Sequence, residues 1–125
     1  MGRFATVRFA ALGTMVLMFI AGTAAAQPVA YSWEGMGVGV VGSSKCATYK
    51  MKIDVTVQGN QVNGVFQQDN RPERIFAAMA DADGTYKAKA VLEEGTLDVT
   101  GSIKEANPTI VLDGYCKFGG KLTKK

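Results

Sequence analysis

"KMKIDVTV", residues 50–57, decides how the rest of the chain is read. Met51, Ile53, Val55 and Val57 share one face, and Lys50, Lys52, Asp54 and Thr56 share the other. An apolar period of two is that of an antiparallel strand with one face on a core and one in water. "QGNQ" follows at 58–61 with Gly and Asn suited to a tight turn, and Val62, Gly64 and Phe66 then continue the apolar face.

The pattern extends outward from there. "RIFAAMA" ends at "DADG", "TYKAKAVL" ends at "EEG", and "TLDVTGSIK" ends at "EANP", where Pro108 cannot donate to a ladder. "TIVL", a turn at "DG" and "YCKFGGKL" complete the series, and a first strand covers about residues 31–41. The expectation is an all-β domain: about eight strands in an antiparallel meander, closing as a small barrel or a tight sandwich. Its inward set is Trp33, Met51, Ile53, Val55, Phe66, Leu92, Leu97, Val99, Ile103, Leu112 and Phe118. These side chains are bulky for short strands, so the interior is expected to be filled and any binding to fall on the rim or an outer face.

Residues 1–26 read as a secretory signal peptide. Arg3 and Arg8 give a positive start, an apolar run follows, and Ala24, Ala25 and Ala26 supply small residues before a cut. Residues 27–125 then form a single β domain, periplasmic or secreted, with no stable membrane anchor after cleavage. The whole chain carries a net charge of +3, and loss of Arg3 and Arg8 lowers it to +1. Without a basic stripe or aromatic–basic interleaving, nucleic acid is not an expected partner.

Cys46 and Cys116 are the only cysteines, and in an exported protein they are expected to pair. The chain has no His, and two thiolates alone do not complete a zinc site. Asp81, Asp83 and Gly84 begin like a calcium loop, but Leu92 stands where the closing Glu belongs, so a turn is expected there. No metal and no cofactor is expected.

"GVGVVG", residues 37–42, has the spacing of a dinucleotide fingerprint. That motif works only between a strand and a helix, and here a turn and another strand follow. Gly35, Gly37 and Gly39 instead make a strand face that a ring such as Trp33 or Phe118 approaches closely; this strand is also one candidate binding surface. The other is the polar connection "QQDNRPER", where Asp69, Arg71, Glu73 and Arg74 flank Pro72. Without His, Ser-His-Asp and Cys-His chemistry is impossible. Ser43 and Ser44 beside Lys45 lack a recognisable base geometry, and the adjacent Glu93 and Glu94 point to opposite faces of a strand.

The start "SWEGMGVG", a following Cys, the run "VTVQGNQVNGVF" and the end "YCKFGGKLTKK" resemble small exported proteobacterial β-proteins of unassigned function, with their Trp-x-Gly start and a Cys in the last strand. In size and single disulfide the chain also resembles the barrel-shaped inhibitors of secreted bacterial metalloproteases. The expected function is therefore a binding or interaction module without catalytic activity, its partner a protein or a small ligand. The alternative is an inhibitor or protector of an exported enzyme.

Intact-mass measurement on protein purified from exporting cells should give a chain that begins at Gln27 with both cysteines oxidised. A mass that retains residues 1–26, or alkylation of two thiols without reductant, would overturn this.

Overall fold

A computed structural model of the chain describes residues 27–39, 45–93 and 95–125. The expected signal peptide, Ser43, Ser44, Glu94 and the last residues of the glycine-rich run lie outside the described residues. Ten strands follow one another: β1 Val29–Met36, β2 Val38–Gly39, β3 Lys50–Gln58, β4 Gln61–Gln68, β5 Arg74–Met79, β6 Thr85–Leu92, β7 Gly95–Ser102, β8 Thr109–Asp113, β9 Cys116–Lys121 and β10 Thr123–Lys124. A short 3-10 turn, Lys45–Thr48, precedes β3.

The strands form two antiparallel sheets, β10-β1-β3-β4-β5 and β2-β9-β8-β7-β6. Neighbouring strands are sequence neighbours nearly throughout, as a meander requires. Of the two expected closures the sandwich is the one observed: β5 and β6 end different sheets and share no ladder, so no barrel closes. The expected eight runs become ten strands because the first and last each change sheets, the first at Gly37 and the last at Leu122.

The two terminal runs stay in one register across that change. Ser32 pairs with Thr123, and six residues further along both strands Val38 pairs with Lys117. Between these points the ladder opens so that the chain can pass from one sheet to the other. Trp33 lies over Gly35, its ring 2.7 Å from where a Cβ would stand. The Phe118 ring and the Cys46 carbonyl oxygen are each 2.7 Å from the corresponding point on Gly37. The glycine face expected from the sequence is therefore occupied by Trp33 and Phe118. Along that strand Gly37 is buried, Gly35 is half-buried and Gly39 is exposed.

Ile53, Val55 and Val62 of one sheet and Val99, Ile110 and Leu112 of the other form the centre, all at most 1% exposed. Of the expected inward set, Trp33, Leu92 and Ile103 are half-buried and the rest are buried. Phe76 and Tyr86 extend the core, stacked with ring centroids 6.4 Å apart. Each covers the glycine opposite it in its own sheet, Phe76 over Gly64 and Tyr86 over Gly101. The Tyr86 hydroxyl donates to the Thr109 carbonyl at 3.2 Å, and burial pushes the phenol's pKa up, so it keeps its proton.

The disulfide joins Cys46 in the 3-10 turn to Cys116 at the start of β9, with Cα atoms 5.5 Å apart. Cys116 is the register partner of Gly39, so the bridge fastens the seam between the chain's two ends. Asp81, Asp83 and Gly84 form the turn expected of them. Asp83 Oδ1 accepts from the Thr85 backbone N–H at 3.0 Å and from its hydroxyl at 2.7 Å, which holds the exposed Asp83 carboxyl below its usual pKa.

Cys46→Ser and Cys116→Ser should destabilise the domain to a similar extent, by about 2–5 kcal/mol in urea unfolding, because either change opens the same loop. Gly37→Ala should cost about 1–3 kcal/mol in the same measurement, because its methyl group meets backbone on one side and a packed ring on the other. Wild-type stability of Gly37→Ala would remove the close approach from the account of the seam.

Candidate functional site

The interior is filled at the middle of the sandwich but not at one end. There a half-open cleft of about 430 Å³ runs between the sheets. This corrects the expectation of a filled interior. The physical reason is local. The cleft lies where β4, β6 and β8 end and where β3, β5, β7 and β9 begin, so the lining strands have no further inward residues to contribute. The rim positions Gly95 and Gly114 carry no side chain that could close it. On the open side, β5 and β6 belong to different sheets and no ladder draws them together.

The apolar lining comes from both sheets. Met51 and Phe66 stand on one wall, Leu92, Leu97 and Phe118 on the other, and Tyr49 lies beside β3. Met51, Phe66, Leu97 and Phe118 are each at most 7% exposed, so the lining is part of the core and held as firmly. Cys116 also borders the cleft, which ties this end to the disulfide. Tyr115, 73% exposed, stands at the mouth.

The polar connection singled out from the sequence lies on the rim, and the structure divides its four charged residues. Arg71 and Arg74 line the cleft, whereas Asp69 and Glu73 do not. Glu73 faces a separate depression on the outer face, with Ile75 and Val91, and Arg74 borders both. The connection is a built turn. The Asp69 N–H donates to the Lys50 carbonyl at 3.1 Å and the Arg71 N–H to the Gln68 carbonyl at 3.0 Å. The Gln67 side-chain amide donates to the Arg71 carbonyl at 2.8 Å. Asn70 adopts φ 66°, a left-handed conformation that Asn tolerates better than most residues. These bonds fix where Arg71 leaves the chain. Arg74 opens β5, is about a quarter exposed, and pairs with Glu93 at 3.7 Å.

Both charged groups among the described lining residues are thus cationic, above an apolar floor. Sequence reasoning found the arginines and, separately, most of the floor, but not that they meet. It missed Tyr49, Tyr115 and the rim glycines. One signal was present: in a meander Met51, Phe66, Leu92, Leu97 and Phe118 all fall near the strand ends on the same side as the 67–74 connection. Among the described residues no group of three or more Cys, Asp or Glu side chains is placed to hold a metal ion, and no helix is long and apolar enough to cross a membrane. The disulfide is compatible with an extracytoplasmic setting. No known protein-family model matches the chain, and no curated protein matches it.

Proposed function

We propose that the domain is a small exported binding module that holds an apolar molecule between its two sheets and performs no chemistry on it. The cleft carries this reading. Its volume of about 430 Å³ lies in the range of small-molecule sites, roughly 300–1,000 Å³, and its floor is apolar with a few polar groups at the mouth. The walls are pre-formed by buried core residues, so little ordering is required on binding. The chain's lack of His removes the commonest general base. The leader-like pattern of residues 1–26, the disulfide, and the resemblance of the Trp-x-Gly start and last-strand Cys to small exported β-proteins support an extracytoplasmic place of action.

A neutral dye such as N-phenylnaphthylamine, whose emission rises in apolar surroundings, tests the cleft directly. Titration of the protein should give saturable enhancement. Leu92→Trp places a larger ring at a half-buried wall position and should weaken dye binding at least about tenfold, a loss of ~1.4 kcal/mol, with the unfolding midpoint retained. Dye binding that ignores this substitution would place the site elsewhere and overturn the proposal.

A further inference from the structure

Building on the cleft as the binding site, we infer that its ligand is an uncharged aromatic molecule, a flat ring system held between the two sheets. The rings of the lining and the pairing of charges at the mouth together point to this class. Phe66 of β4 stands on one wall and Phe118 of β9 on the other, so each sheet contributes an aromatic ring. Tyr49 beside β3 and Tyr115 at the mouth add two more. Aromatic pairs are favoured beyond the area they bury, because the electron-poor edge of one ring meets the electron-rich face of another. Met51 adds a thioether, which also makes favourable contacts with ring edges. Facing sheets in a sandwich core stand about 10 Å apart, backbone to backbone. A planar molecule lies against both walls of such a space, whereas a puckered one with the same carbon skeleton is thicker.

The arginines fit the same class. Arg74 is ion-paired with Glu93 at 3.7 Å, and Arg71 has an interaction of its own within the chain. The charged groups among the described lining residues are therefore already engaged, and the cleft does not call for a charged ligand. An anion would have to compete with Glu93 for Arg74, and a cation would approach two guanidinium groups. An ion pair uses the nitrogens at the rim of a guanidinium and leaves its faces able to stack on an aromatic ring. Arg74, 24% exposed and bordering the apolar lining, can serve in that way while it keeps Glu93. Gln68 and Thr96 border the cleft with uncharged polar groups, which suit one hydroxyl or amide on the ligand.

Displacement of the neutral dye by 2-naphthol and by decahydro-2-naphthol, which share one carbon skeleton and one hydroxyl, reads aromaticity alone. 2-Naphthol should displace the dye at roughly tenfold lower concentration than its saturated counterpart. Naphthalene-2-carboxamide should likewise displace it at lower concentration than naphthalene-2-carboxylate, which differs in charge. Tyr115→Ala, an exposed change that threatens no packing, should weaken 2-naphthol several-fold more than decahydro-2-naphthol. Arg74→Lys keeps a cation facing Glu93 but removes the flat guanidinium, and should narrow the same preference. Equal displacement by 2-naphthol and decahydro-2-naphthol would overturn the aromatic assignment and leave the cleft standing as an apolar site. Tighter binding of the carboxylate than of the carboxamide would overturn the uncharged class. A preference for 2-naphthol that survives both substitutions unchanged would overturn the role of the mouth in holding the ring. Failure of every probe to displace the dye would overturn both this inference and the cleft as the dye's site.

Discussion

The pairing of the chain's two ends is the constraint from which the rest of the sandwich follows. A meander has two free edges, and exposed ladder groups on such edges invite pairing with other chains. Here the first run, β1 and β2, meets the last, β9 and β10, in a single register, and each run gives one segment to each sheet. The sheets therefore share strands at this seam and lie face to face there. Contacts so distant in sequence bring the loop-closure cost of nearly the whole domain. The Cys46–Cys116 bridge, 70 positions apart, removes much of that cost by restricting the unfolded chain, by about 4 kcal/mol in the chain-entropy model. That is a large share of the roughly 5–15 kcal/mol that stabilises a domain of this size.

Passing a strand from sheet to sheet requires a place where the ladder opens and the backbone is approached closely, and that requirement accounts for the glycines. At Gly37 a carbonyl oxygen and a ring occupy the space a side chain would need. Gly119, next to Phe118 in the last run, has φ 121°, where other residues are strained, and lies against the Ile110 carbonyl. The fold repeats a related device inside each sheet, where an aromatic ring lies over a cross-strand glycine. Phe76 over Gly64 and Tyr86 over Gly101 place two stacked rings between the sheets near the gap between β5 and β6. A ring covering a glycine shields backbone that would otherwise face the interior bare, and it fills with one large side chain the space of two small ones.

The sequence shows the fold clearly because alternation is a local property. Residues 50–57 and 96–104 read as half-buried strands without reference to anything else, and the turns at Gly59 and at 81–84 carry their own chemistry. The alanine-rich segment "RIFAAMA" forms β5 because Val65 and Gly64 of β4 pair with Ile75 and Phe76, a tertiary contact that overrides the helical preference of alanine. The site was only half legible. Arg71 and Arg74 stood out as charges in a long connection, and the floor residues stood out as core. Their meeting depends on where the sheets part, which is set by the lack of a β5–β6 ladder, and no local pattern encodes a missing ladder. The same limit explains why a filled interior was expected: side-chain bulk bears on the middle of the sandwich, not on its open end.

The two long sides of the sandwich are therefore unlike, and the difference positions the cleft. On the seam side the sheets share backbone, a disulfide and the Trp33 and Phe118 rings. On the other side β5 and β6 are joined at the far end by a turn, with the Asp81 N–H bonded to the Thr85 carbonyl, and at the cleft end by the exposed Arg74–Glu93 pair. Their outer edges carry Lys87, Lys89 and Arg74, charges of the kind that discourage pairing with a further strand. A sandwich closed by shared strands on one side and by side chains on the other opens most readily at the end farthest from its remaining turn. That corner, bounded by Arg74, Glu93 and Leu92, is also where the apolar floor reaches the surface. Rigid walls and a loosely tied mouth thus arise from the same asymmetry, since β9 is paired on both its edges at Cys116–Phe118 whereas no ladder joins β5 to β6 beyond Arg74.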